Sequence, residues 1–102
     1  MAYFNIKLET HDGSVEATAS DPIDFLSKRV IPNHAIFPVL SQIDEYGDTI
    51  FNQKQVALAL KEIEIAKRWA VTAEEQIVSQ AIFDIFSRCL IGVHRFVKFY
   101  GD

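Results

Sequence analysis

Two four-residue patterns, Asn52-Gln-Lys-Gln55 and Thr72-Ala-Glu-Glu75, constrain this chain more than anything else in it. Each has the form of a capping box. A short polar side chain accepts the backbone N–H three residues on, and the Gln or Glu there reaches back to the first N–H. Two boxes therefore mark two helix starts. The apolar spacing behind them predicts one helix from Asn52 to about Ala70 and another from 73 to about 91, where Gly92 ends it. In the second helix Ile77, Val78, Ala81, Ile82, Ile85, Phe86 and Cys89 recur at helical spacing. The first carries two stripes: Val56, Leu60, Ile63 and Ala70 with Ala59 and Ala66, and Leu58, Ile65 and Trp69. Two stripes mean burial on two sides, or one buried side and one that faces a partner.

The flanking segments read as strands. Phe4, Ile6 and Leu8 alternate with Tyr3, Asn5, Lys7 and Glu9, and Val15, Ala17 and Ala19 continue the period after Asp12-Gly13. Asp-Gly between two extended runs is a hairpin signal, because both positions tolerate positive φ, so residues 3–19 are expected to form a hairpin. Asp21-Pro22 then starts a short helix over 22–29, with Ser20 or Asp21 as its cap, and Pro32 ends it. Residues 31–51 form a connection too apolar for a plain surface loop, and ordered connections of that length tend to be functional. The tail from Val93 alternates and is rich in aromatics, which favours a strand paired with the hairpin. The expected fold is α+β: a small antiparallel sheet, made of the N-terminal hairpin and the C-terminal strand, packed against three helices.

At 102 residues the chain is expected to be a single domain, 1–102, able to bury a core without staples. One cysteine excludes an internal disulfide framework and a cysteine zinc site. The longest uncharged run, Val30 to Ile43, is shorter than the roughly 18–20 residues a spanning helix needs, and it holds two prolines. No basic start with an apolar core and a cleavage site reads as a signal peptide. The expected location is the cytoplasm, with no membrane partner. The net charge of −4 excludes a strongly basic nucleic-acid binder, but the charge is uneven. Residues 1–50 hold eight acids against three bases, a net −5, whereas residues 51–102 hold six against seven. Such an asymmetry steers association with a basic partner, or it is simply a solvated surface.

Few residues suggest catalysis. His11, His34 and His94 sit at no metal-binding spacing, and Cys89 lies on an apolar stripe, where it reads as core. Asp44, Glu45 and Asp48 surround a Tyr-Gly turn. They could bind a hard cation or do acid–base work with His34, yet there is no calcium-loop pattern and no glycine-rich phosphate loop. No catalytic residue, metal or cofactor is expected. Arg95 and Lys98 among Phe96, Phe99 and Tyr100 come nearest to a nucleic-acid platform, and they read first as a strand with a solvated face.

The segment Phe37-Pro-Val-Leu-Ser-Gln-Ile-Asp-Glu-Tyr-Gly-Asp-Thr-Ile-Phe-Asn-Gln-Lys-Gln55 resembles a recurring motif of small bacterial proteins, Phe-Pro-x-Leu-x-x-x-Asp-x-Tyr-x-Asp-Thr-x-Phe-Asn-x-x-Gln. The ending Phe99-Tyr-Gly-Asp102 is similar to the close of those chains, which often carry Pro where this one has Glu45. Several of them look like immunity proteins of contact-dependent growth inhibition and related toxin systems. The likeness covers about a fifth of the chain. It implies a cytoplasmic protein that binds a cognate toxin C-terminal domain, such as a nuclease, and blocks its active-site cleft without touching nucleic acid itself.

In the motif, Asp44 and Asp48 are expected to hold backbone N–H groups across the Tyr46-Gly47 turn. Thr49 and Asn52 fix the following helix start, and Phe37, Leu40, Ile43, Ile50 and Phe51 anchor the segment. The candidate toxin contacts are the acids Asp12, Glu16, Asp21, Asp24, Asp44, Glu45 and Asp48, taken as exposed, with Tyr46 and Trp69 as aromatic anchors; Trp69 reads equally as core. The alternatives are a small metal-dependent enzyme using His34, Asp44 and Asp48, and a structural module that dimerises through the Leu58–Ile65–Trp69 stripe. The chain is expected to be a monomer or weak homodimer.

Overall fold

A computed structural model describes residues 3–101. The elements run β1 (Phe4–Thr10), β2 (Val15–Asp21), β3 (Asp48–Phe51), α1 (Gln53–Trp69), α2 (Ala73–Ile91) and β4 (Arg95–Tyr100). The four strands form one antiparallel sheet in the order β2-β1-β4-β3. Both long helices cover the same face, α2 over β2, β1 and β4, and α1 over β4 and β3. The α+β class and the pairing of the C-terminal strand with the hairpin are as expected.

The local signals act where they were read. Asn52 accepts the Gln55 N–H at 2.9 Å and the Gln55 side chain accepts the Asn52 N–H at 2.9 Å. Thr72 and Glu75 repeat the box at the start of α2. Gly13 turns the hairpin with φ +89°, a conformation that suits a residue without Cβ. Phe4, Ile6 and Leu8 line the inner sheet face with Phe51, Val97 and Phe99. Edge-on aromatic contacts join Phe99 to Phe51 at 5.7 Å and to Phe86 at 6.1 Å. Val56, Ala59, Ile63 and Ala66 of α1 and Val78, Ile82, Ile85, Phe86 and Cys89 of α2 complete the core.

Three expectations change. First, the helix expected over 22–29 is a five-residue π-helical turn, Leu26–Val30. Asp21 does cap, but across a longer gap: it is the last residue of β2, and its carboxylate accepts the N–H groups of Phe25 at 2.9 Å and Leu26 at 2.8 Å. Asp24 takes φ +58° between them, so no helix runs through it. Second, the long connection contains the fourth strand, β3, which closes the sheet beside β4. With only four residues it offered too short an alternation to stand out. Third, Ile50 and Ile77 are not core; they are 54% and 69% exposed.

Two side chains tie the connection and the helices together over long sequence distances. Glu62 sits on the inward face of α1, only 7% exposed, and accepts the N–H groups of Val39 at 3.1 Å and Leu40 at 2.8 Å. Gln53, the first residue of α1, donates to the Cys89 and Gly92 carbonyls at 2.8 and 2.7 Å and so finishes α2. A third link joins the π-helical turn to α2: Arg29 donates to Glu75 at 3.0 Å.

Removing the Glu62 carboxylate leaves buried backbone N–H groups without partners, at a cost of about 1–3 kcal/mol. Glu62→Ala should therefore lower unfolding stability by about that amount, while Glu64→Ala, on an exposed position of the same helix, should stay within about 0.5 kcal/mol. Chemical denaturation checks both, and equal effects would refute the role of Glu62. Acid should act through Glu75. The Val71 N–H and the Arg29 guanidinium hold its carboxyl at about 2, down from 4.5. A carboxyl more acidic when folded stabilises the fold fully above its unfolded value and loses that contribution as pH falls through the folded one. Stability should thus decline between pH 4.5 and about 2, and Glu75→Gln should flatten that limb in denaturant titrations. Parallel limbs for the two proteins would contradict the assignment.

Candidate functional site

The segment that carries the family resemblance folds into a braced turn between the connection and β3. Phe37, Leu40, Ile43 and Phe51 anchor it in the core. The 3₁₀ turn Leu40–Gln42 hangs from Glu62 and delivers the chain to Ile43. Asp44 Oδ1 then accepts the Tyr46 N–H at 2.9 Å, and the Asp44 N–H donates to the Thr49 hydroxyl at 2.8 Å. The Gly101 N–H donates to the Gly47 carbonyl at 2.7 Å. A Cβ on Gly101 would meet the Asp44 carbonyl oxygen at 2.5 Å, so Gly101 lies flush on the turn only because it has none. At its apex Tyr46 is 81% exposed.

This bracing differs from expectation at three points. Thr49 does not fix the following helix start, which Asn52 caps with Gln55; its hydroxyl serves the turn by accepting the Asp44 N–H. Asp48 makes no backbone contact across the turn; its carboxylate stands 3.7 Å from Lys98 Nζ on β4. Ile50 does not anchor the segment but faces solvent, beside Lys98 in the sheet register. The outer face of the sheet next to the turn is an interlocked set. Tyr100 donates its hydroxyl to Glu9, and the ammonium groups of Lys7 and Lys98 lie 4.9 and 4.8 Å from its ring centroid. That hydrogen bond to Glu9, followed by burial, raises the Tyr100 hydroxyl above its ordinary pKa.

The remaining acids expected as contacts fall into two groups. Asp21 and Asp24 are buried, at 0% and 6% exposure, and cannot offer a carboxylate to a partner. Burial pushes the Asp21 carboxyl above its ordinary range despite the N–H groups that hold it. Asp24 Oδ1 and the Ser27 hydroxyl have no hydrogen-bond partner among the described residues. Asp12 and Glu16 are on the surface but engaged. The Thr10 hydroxyl and the Ser14 N–H hold Asp12 at about 2, and Arg95 binds Glu16 through two nitrogens, which lowers its pKa. They also lie far from the braced turn. The hairpin tip and the start of β2 occupy one end of the sheet, whereas Asp48 pairs with Tyr100 at the other end, on the opposite edge. The acidity of the first half is therefore not one patch.

Trp69 is half-buried, its ring 5.1 Å from Phe37, and Ile65 packs on the core beside it. The second stripe of α1 thus covers the connection rather than facing outward, and Leu58 is its exposed member. His34 is exposed on the connection, and His11 and His94 stack edge-on at 5.6 Å at the far end of the sheet. Among the described residues no three His, Cys, Asp or Glu side chains stand together as a metal site. Cys89 is fully buried in α2, where burial raises its thiol to about 11. No helix among the described residues is long and apolar enough to cross a membrane.

The sequence reading missed one feature. An apolar groove runs between β2 and α2, lined by Ala19, Ile23, Ile77, Val78 and Ala81. Ile77 belonged to the apolar stripe of α2, and nothing in the stripe shows that the sheet ends before it is covered. Compared with protein-family profiles, with curated proteins and with solved structures, the chain has no match.

Proposed function

We propose that this protein binds the toxic domain of a cognate bacterial toxin in the cytoplasm and neutralises it by occluding its active-site cleft. The observation that carries this reading is the braced turn. It presents an 81% exposed tyrosine between Asp44, Glu45 and Asp48, on a backbone fixed from Asp44, Thr49 and Gly101. A rigid, amphipathic aromatic is the side-chain type that dominates interface energetics, because little rotamer freedom is lost on docking. The acids around it suit a basic cleft and speed encounter with it. The family resemblance, which falls on this same segment, supplies the step from binding to immunity. No such observation favours the metal-dependent enzyme or the module dimerising through α1, since His34 stands apart and Trp69 is covered.

The decisive experiment is protection. The variable C-terminal domain of a large secreted protein encoded beside this one should stop growth when expressed, and co-expression of this chain should restore it. Failure to restore growth would refute the reading. On the purified pair, Tyr46→Ala should weaken binding by at least about 2 kcal/mol, roughly thirtyfold, while leaving unfolding stability unchanged. Glu45→Lys should slow association about tenfold in low salt and little in high salt. Unchanged binding for both variants would move the contact surface elsewhere.

A further inference from the structure

We infer that the free edge of β2, together with the groove beside it, docks an extended segment of a partner protein in which apolar residues alternate with basic ones. This rests on the reading of the chain as one that works by binding another protein. β2 is the outermost strand of the sheet and pairs only with β1 among the described residues. One side of its backbone is therefore an unpaired row of N–H and C=O groups. Natural edges are commonly guarded by lysine, by proline or by a bulge. Val15–Asp21 holds no lysine and no proline. Its one irregularity lies at the hairpin end, opposite Leu8 and Glu9, and the register runs on without a break from Ala17 to Asp21.

The chemistry beside the edge selects the occupant. Ala17 and Ala19 are small, so the flank of α2 above them stays open and Ile77 is left 69% exposed. A strand added to β2 would place every second side chain in that opening, the usual division of labour in strand addition: main-chain bonds for affinity, pockets for selection. The charged residues lining the groove and its continuation along α2 are Glu74 and Asp84, with no lysine or arginine among the lining residues. A second copy of this chain would set those acids against their own equivalents. A basic segment would neutralise them, and its apolar residues would cover Ile77 and Ala81.

The test uses the purified chain and two synthetic peptides, one alternating valine with lysine and one alternating valine with glutamate, followed by NMR. The lysine peptide should slow exchange of alternate β2 amides by about tenfold or more and shift the Ile77 methyl signals. It should bind about tenfold tighter than the glutamate peptide. Ile77→Lys, at an exposed position outside the core, should abolish the effect. Absence of binding, binding away from β2, or equal affinity for the glutamate peptide would overturn the proposal. Protection of β2 that grows with protein concentration alone would also overturn it, because a second copy would then occupy the edge. Cell protection is a separate readout, so loss of the immunity reading and loss of the groove reading are distinguishable.

Discussion

The carboxylate of Glu62 is the contact on which the rest of the architecture depends. It points inward from α1 among alanines and isoleucine, a place where an unpaired charge would cost several kcal/mol. The Val39 and Leu40 N–H groups offset that cost, and in return a segment without regular structure acquires a fixed position against α1. Phe37, Leu40 and Ile43 can then enter the core, Trp69 can close over Phe37, and the chain arrives at Asp44 aligned to add β3 to the sheet. Asp21 and Glu75 act in the same way, the first holding the backbone of the π-helical turn and the second joining that turn to α2. Carboxylates accepting backbone and guanidinium N–H groups thus do for the irregular segment between β2 and β3 what the capping boxes do for the helices.

That use of acids changes what the charge of the chain means. Its excess of carboxylates in the first half suggested a surface field. In the fold Asp21 and Asp24 are inside, Glu9 holds Tyr100, Glu16 holds Arg95 and Asp12 closes the hairpin turn. What remains near one place is Asp44, Glu45 and Asp48 around Tyr46, a small site whose value lies in rigidity as much as in charge. A second, separate surface lies on the opposite edge of the sheet, where β2 and α2 leave both backbone and apolar side chains uncovered.

Much of the fold was legible because its signals are local. A capping box spans four residues, an Asp-Gly turn spans two, and the alternation of Phe4, Ile6 and Leu8 needs only one strand to be seen. The misreadings share a cause as well. Asp21-Pro22 looked like a helix start because the cap-then-proline pattern is the same whether the helix begins at once or four residues later. Only the positive φ of Asp24 separates the two. Ile77 matched the stripe of α2 in spacing, but a stripe wider than the sheet beneath it cannot be recognised from the helix alone. The Tyr46 turn was placed correctly, with Asp44 in its expected role, because the Asp44 bonds span at most five residues. That Thr49 braces the turn instead of the helix start, and that Gly101 joins it, was not legible.

By itself the sequence determined the two helices, the hairpin, the C-terminal strand and the Asp44–Tyr46 turn, since each is set by neighbours close in the chain. Tertiary structure alone decided which carboxylates face solvent, how Glu62 and Gln53 are used, that β3 exists, and that β2 is left as an open edge. Those outcomes depend on residues that are distant in sequence but adjacent in space. Desolvation and hydrogen bonding act on that adjacency, and no periodicity records it.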